Sequence, residues 1–201
     1  MQKRTSVIII ILFLMTVGFI TNSNAQSEKN KFQSWYTLWA VGWVNAAYPP
    51  AIDEQIDIIK RQPGYSHQLV AFDVLGFYKP AIDDQTAFGG IVNGVYDRHS
   101  VDNQDISIGD FQLSASALRF VQDRIGKGFF LRLDLGITHA FTDGSERDRS
   151  TDWGLGALVG AGFGLPISSR IRILLTGAYS SRWYSWNDPN QYWQVTIGAL
   201  L

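Results

Sequence analysis

Six charged residues stand out for chemistry: Asp73, Asp110, Arg132, Asp134, Arg172 and Arg182. Each falls in a segment whose apolar residues alternate with Gly, Ser, Thr, Asn and Gln, and each shares the polar parity of that alternation. They carry both signs and come from four separate segments. Charges on a buried face persist only when paired and hydrogen-bonded, so the pattern predicts a structural polar network inside the molecule. A gate or a proton path would use the same residue types, but nothing in the spacing favours it. The chain has no Cys, which removes disulfides, thiol catalysis, Cys-ligated zinc and a lipidated cysteine. No metal motif and no phosphate loop is present, so no metal, cofactor or catalytic residue is assigned. Glycines between 154 and 164 mimic a GxGxxG spacing, but no helix follows them to bind a phosphate.

The elements that must position these charges are strands. In Phe129 to Phe141, FFLRLDLGITHAF, the residues Phe129, Leu131, Leu133, Leu135 and Ile137 share one face, and Phe130, Arg132, Asp134, Gly136 and Thr138 share the other. At about 3.3 Å per residue and a tilt near 45°, such a run is about long enough to cross a bilayer core. A lone membrane strand would leave its backbone groups unsatisfied in hydrocarbon, so the design must repeat.

It repeats along the chain. Strand 1 is expected at Ser34 to Tyr48, where Trp35, Trp39, Trp43 and Tyr36, Val44, Tyr48 compete for the outer face, and Pro49-Pro50 ends it. Residues 51 to 64 have Ile52, Ile56 and Ile59 at a spacing suited to one or two helical turns. Strand 2 runs from His67 to Tyr78, with Val70, Phe72 and Val74 opposite Asp73; strand 3 runs from Thr86 to Arg98, with Asn93 and Asp97 on one parity. The polar stretch HSVDNQD leads to strand 4, Ile106 to Gln122, and strand 5 is the run described above. The charged stretch Thr142 to Asp152 precedes strand 6, Trp153 to Leu165, whose alternating glycines leave room for large side chains from opposite strands. Strand 7, Arg170 to Trp186, and strand 8, Gln191 to Leu201, complete the set. Successive hairpins without crossover helices predict an all-β, eight-stranded antiparallel up-and-down barrel. Its interior is filled by side chains, which argues against a pore.

Residues 1 to 25 have a basic start (Lys3, Arg4), an apolar run from Val7 to Ile20 and small residues at Ser23 and Ala25. This predicts a signal peptide cut after Ala25, leaving 26–201 as one barrel domain. Loss of two cations takes the formal net charge from -1 to -3. With no Lys/Arg-rich run, nucleic acid is not an expected partner.

Alternation alone does not say which face is outside, since a soluble lipocalin-like binding barrel has the same period. A soluble barrel needs a charged exterior, whereas charged residues make up 17% of this chain, below the roughly 25% of soluble domains. Aromatic residues near strand ends, Tyr36, Tyr48, Tyr78, Trp153, Trp183, Trp186 and Trp193, match girdles at two membrane interfaces. The transmembrane reading follows.

In strand count, girdles and long-short loop alternation, residues 32 to 201 resemble the small eight-stranded outer-membrane barrels of Gram-negative bacteria, the group of the outer membrane protein A barrel and outer membrane protein X. The resemblance implies location in the outer membrane, contact with its lipid and lipopolysaccharide, and insertion by the barrel-assembly machinery. In that group the last strand usually ends in Phe or Trp, whereas YWQVTIGALL ends in Leu201. Two relatives of this architecture are lipid A-modifying enzymes, so the histidines are compared with them. The deacylases carry a His-x-Ser pair, but His139 is followed by Ala140 and Phe141. The palmitoyltransferases use His, Asp and Ser near the rim; His99, Ser100 and Asp102 have those types, but neighbours in sequence point apart. The expected function is therefore a non-enzymatic one, structural or of surface interaction with an unidentified extracellular ligand, through loops 50–65, 99–105 and 142–152. The alternatives are a lipid A-modifying barrel and a conduit for small apolar molecules through the Gly-rich wall of strand 6.

Overall fold

The computed structural model describes residues 35–201 except 82–83, 102–103, 123, 145–146 and 185–187. The expected signal peptide, Asp102 and Trp186 lie outside the described residues. Period-two alternation is realised as eight strands: β1 (Tyr36–Ala47), β2 (Ser66–Pro80), β3 (Thr86–Val101), β4 (Gln104–Phe120), β5 (Gly128–Gly144), β6 (Arg147–Pro166), β7 (Arg172–Trp183) and β8 (Asn190–Leu200). Each pairs antiparallel with the next, and β1 pairs with β8 to close the barrel. Beyond that seam, Thr37 and Leu201 exchange backbone hydrogen bonds of 3.0 and 2.9 Å. Within the wall, closure pairs each strand on both sides, while β6 before Leu155 pairs with β5 alone.

Helix α1 (Pro50–Lys60) sits between β1 and β2. Pro50 at its first turn lacks only an N–H that would be unbonded there anyway, and Asp53 and Lys60 match the helix dipole at the two ends. At eleven residues it is longer than the one or two turns expected, because Ile56 and Ile52 gain a tertiary partner. They pack on Tyr48, Val95, Ile108 and Tyr192 and cover one end of the barrel, the helix end. Connections after β2, β4 and β6 form the opposite, turn end.

Segments 99–105 and 142–152, expected as loops, are largely strand. β3 and β4 stay paired out to Val101 and Gln104, and β5 and β6 pair as far as Gly144 and Arg147. Ladder hydrogen bonds join backbone groups whatever the side chain, so pairing continues where the apolar alternation stops. At the turn end, Arg170 lies in a turn and not in β7: Ser168 Oγ accepts hydrogen bonds from the Arg170 and Ile171 amides at 3.2 and 3.0 Å.

The apolar parity faces outward. Along β5, Phe129, Leu131, Leu133, Leu135 and Ile137 are all exposed, and Val41, Phe88, Leu113, Leu155, Leu175 and Val195 continue the belt on other strands. The alternating polar parity of β4, Asp110, Gln112, Ser114 and Ser116, is buried. This overturns the lipocalin-like alternative, which needs the apolar parity inside. Strand β1 adopts one of its two competing phases: Trp39 and Trp43 face out, while Tyr36, Val44 and Tyr48 face in.

The interior is layered. Near the turn end an apolar cluster includes Tyr36, Leu38, Tyr78, Ile91, Phe120, Phe130 and Leu174. A polar layer occupies the middle, and the α1-capped cluster closes the helix end. Among the glycines of β6, Gly156 leaves room for Gln112 of β4, two strands away, and Gly162 for a side chain of the neighbouring strand. Phe130 on β5 is paired with Gly162, and a Cβ there would lie 2.6 Å from the Phe130 ring and 2.2 Å from the Leu175 carbonyl oxygen. Gly162→Ala is therefore expected to destabilise the barrel by about 1–3 kcal/mol through overpacking, read as a lower urea midpoint in micelles.

Candidate functional site

The middle layer is built from five of the six charged residues singled out in the sequence. Arg132 forms a bidentate pair with Asp73, its Nη1 and Nη2 donating at 2.7 and 2.9 Å, and also donates to Asp134 from Nη2 at 2.6 Å and Nε at 2.9 Å. Asp134 accepts further from Asn93 at 3.0 Å and from Ser116. Closer to the helix end, Arg182 donates to Asp110 Oδ1 at 2.8 Å and to the Asp110 carbonyl at 2.6 Å. Asp110 is a hub: Tyr184, Asn190 (3.0 Å) and Tyr192 (2.6 Å) also donate to it. Asn93 links the halves, since its Oδ1 accepts from Arg182 at 3.3 Å. All five charged side chains are at least 97% buried, and the planar guanidinium forks account for most of their pairing.

Arg172 shares the inward parity but stands apart from this network. As the first residue of β7 it is ten residues from Arg182, about 33 Å along a strand, and its guanidinium lies 5.1 Å over the Tyr36 ring at the turn end.

The expected aromatic girdle divides. Trp153, Trp183 and Trp193 face outward, together with Trp43. Tyr36, Tyr48 and Tyr78 face inward and are buried. For Tyr36 and Tyr48 the cause is the phase of β1. For Tyr78 it is a bulge in β2: Leu75 has φ +54°, the register to β3 slips between Val74 and Phe77, and the facing of every later residue reverses. Tyr78 thus leaves the parity of Phe72 and bonds Ser116 at 2.8 Å inside the barrel.

A second polar group lies at the helix end, beyond the level of the outward tryptophans. Asp97 and His99, two apart on β3, point the same way, and the β2–β3 register places His67 directly across from His99. The two imidazoles stack with centroids 4.7 Å apart and 10° between planes. Asp97 Oδ1 is 2.7 Å from His67 Nε2 and 3.1 Å from His99 Nε2. The latter contact lacks hydrogen-bond direction, so His99 Nε2 is buried without a hydrogen-bond partner. Asp97 Oδ2 accepts from Tyr48 at 3.0 Å, and Tyr65 OH lies 2.9 Å from His99 Nδ1. Burial, and next the Asp97 carboxylate, push both phenols above their ordinary pKa, so Tyr48 and Tyr65 stay neutral hydroxyls. His67, Asp97 and His99 are the group of described residues able to hold a metal ion: their ligand atoms lie within 4.8 Å of one another.

His99 is a strand residue, not a loop one, so Ser100 points to the other face and no His99–Ser100 pair forms. His139 is on the outer wall, its ring 4.5 Å from that of Trp153. The three-residue group at the helix end escaped the sequence because its members come from two strands. The one local signal was Asp97-x-His99, a same-face spacing hidden by placing His99 in a loop. At the Gly-rich wall, the outer face carries an apolar groove of about 850 Å³ bordered by Trp43, Val159, Ala161, Gly177, Tyr179 and Trp193.

The fold is that of the small eight-stranded outer-membrane barrels. Neisserial surface protein A superposes with a TM-score of 0.53 at 12% identity, covering 84% of this chain and 97% of that one. The attachment invasion locus protein Ail of Yersinia pestis superposes with a TM-score of 0.51 at 10% identity, covering 85% of this chain and all of that one. A second Ail structure, in complex with the heparin analogue sucrose octasulfate, gives a TM-score of 0.50 at 12% identity, covering 84% of this chain and all of that one. The sequence matches no family model and no curated protein.

Proposed function

We propose that this chain is a non-enzymatic integral protein of the outer membrane, with a structural or surface-interaction role exercised at its helix end. The observation that carries this reading is the inversion of a soluble protein: Arg132, Arg182 and their carboxylates are buried inside a continuous outward belt of Leu, Ile, Val and Phe. Soluble monomers rarely expose an apolar patch beyond a few hundred Å². From Phe129 to Ile137 the β5 part of the belt spans about 27 Å of strand, or about 20 Å of height at a 40° tilt, near the ~25 Å band of outer-membrane barrels. Membrane lipid, lipopolysaccharide and the barrel-assembly machinery are the partners of this reading, and export through residues 1–25 is its route.

The helix end is the surface left for an extracellular ligand. Its sequence does not favour a polyanion of the kind seen on Ail: residues 142–152 hold Asp143, Glu146, Asp148 and Asp152 against Arg147 and Arg149, and α1 holds Asp53, Glu54 and Asp57 against Lys60. A neutral or cationic ligand suits that balance better.

The folded chain should migrate faster on a gel when unboiled than when boiled, and should fractionate with the outer membrane. A detergent-independent periplasmic protein with no heat-dependent shift would overturn the proposal.

A further inference from the structure

We infer that His67, Asp97 and His99 form a binding site for a divalent transition-metal cation of the zinc class at the helix end of the barrel. Two imidazoles and one carboxylate are the donor set that suits zinc, with one position left for water or a ligand. At zinc distances of about 2.0–2.2 Å, tetrahedral donors lie about 3.3–3.5 Å apart. Asp97 Oδ1 is already 2.7 and 3.1 Å from the two Nε2 atoms. The imidazoles are stacked in parallel, so closing on an ion requires one ring to turn out of the stack. His67 is the ring free to do so: its side chain is 36% exposed, against 1% for His99, and that exposure is also the entry path.

Three further observations point to a cation. His99 Nε2 is buried with no well-directed hydrogen bond, and its near neighbour is Asp97 Oδ1 at 3.1 Å, so its lone pair faces the carboxylate that would share the ion. The outer shell is in place: Tyr48 holds the far oxygen of Asp97, and Tyr65 Oη can accept from His99 Nδ1–H, which fixes the tautomer that frees Nε2. Charge agrees as well. Asp73, Asp97, Asp110 and Asp134 are buried against two buried guanidiniums, Arg132 and Arg182. The ion pairs of Asp97 with described residues are to the two histidines alone. A divalent cation beside Asp97 would give this carboxylate the cationic partner that Arg132 and Arg182 give Asp73, Asp134 and Asp110.

The site is tested by calorimetric titration of Zn²⁺ into the folded, tag-free chain in detergent micelles, with Mg²⁺ as the hard-cation control. One Zn²⁺ per chain and no Mg²⁺ binding are expected. His67→Gln and His99→Gln should each weaken Zn²⁺ at least tenfold, and Tyr48→Phe, which frees the Asp97 carboxylate to rotate, by about tenfold. His139→Gln, on the outer wall, should bind as the parent does. Because His99 is buried, the heat-dependent gel shift of every variant is checked first, and His67→Gln at its exposed position keeps the test decisive if His99→Gln fails to fold. No Zn²⁺ binding by the parent, or parental affinity in His67→Gln, would overturn the site. Either result leaves the gel and fractionation test of the membrane reading untouched.

Discussion

Arg132→Met should lower the free energy of unfolding by about 3–5 kcal/mol, the range for removing one partner of a buried ion pair. The single change leaves both Asp73 and Asp134 buried without their guanidinium, and these carboxylates are almost wholly out of solvent. The outcome is measured by urea titration of the barrel folded into lipid vesicles. Adding Asp73→Asn and Asp134→Asn to Arg132→Met should recover most of the loss, because the penalty comes from unpaired charge and not from the missing pair itself. A triple variant as unstable as the single one would show that Arg132 acts by packing alone.

Leu133→Arg should destabilise the folded barrel in vesicles by about 2–4 kcal/mol, the cost of a cation on the lipid face at the bilayer midplane. Leu133 is 45% exposed and sits at the centre of the β5 belt, four residues from Phe129 and four from Ile137. Were that surface wet, the same exchange would fall within about ±0.5 kcal/mol, as most surface substitutions do. Ile58→Arg gives the comparison within one protein: Ile58 is 59% exposed, but on α1 outside the belt, and a change below about 0.5 kcal/mol is expected there. Equal, small effects at both positions would contradict the membrane reading.

Much of the barrel was legible because a strand's side chains have a strict period of two, and composition then says which parity tolerates water. Leu131, Leu133 and Leu135 against Arg132 and Asp134 is a statement about two faces that needs no tertiary information. The same logic placed Asp110, Gln112, Ser114 and Ser116 on one wall, and the Pro49-Pro50 break and the isoleucine spacing marked helix α1.

Strand ends were less legible. Past Arg98 and Phe141 the residues turn mostly polar, with Val101 the apolar exception, and the backbone ladder that continues there has little side-chain signature.

What only the tertiary structure decided depends on register and on a single inserted residue. One bulge at Leu75 moves Tyr78 from the outer wall to the interior, and no pattern of apolar residues announces it, because Phe77 and Tyr78 are equally acceptable at a membrane surface. The phase of β1 is settled by pairing with β2 and β8 at once, which puts Trp43 outside and Tyr48 under α1. Residue types likewise marked the interior charges, but barrel closure chose the partners, giving Asp73 and Asp134 to Arg132 and leaving Arg172 at the turn end. The meeting of His67 with Asp97 and His99 is of the same kind: thirty residues separate His67 from Asp97, and only the β2–β3 register brings them within 2.7 Å.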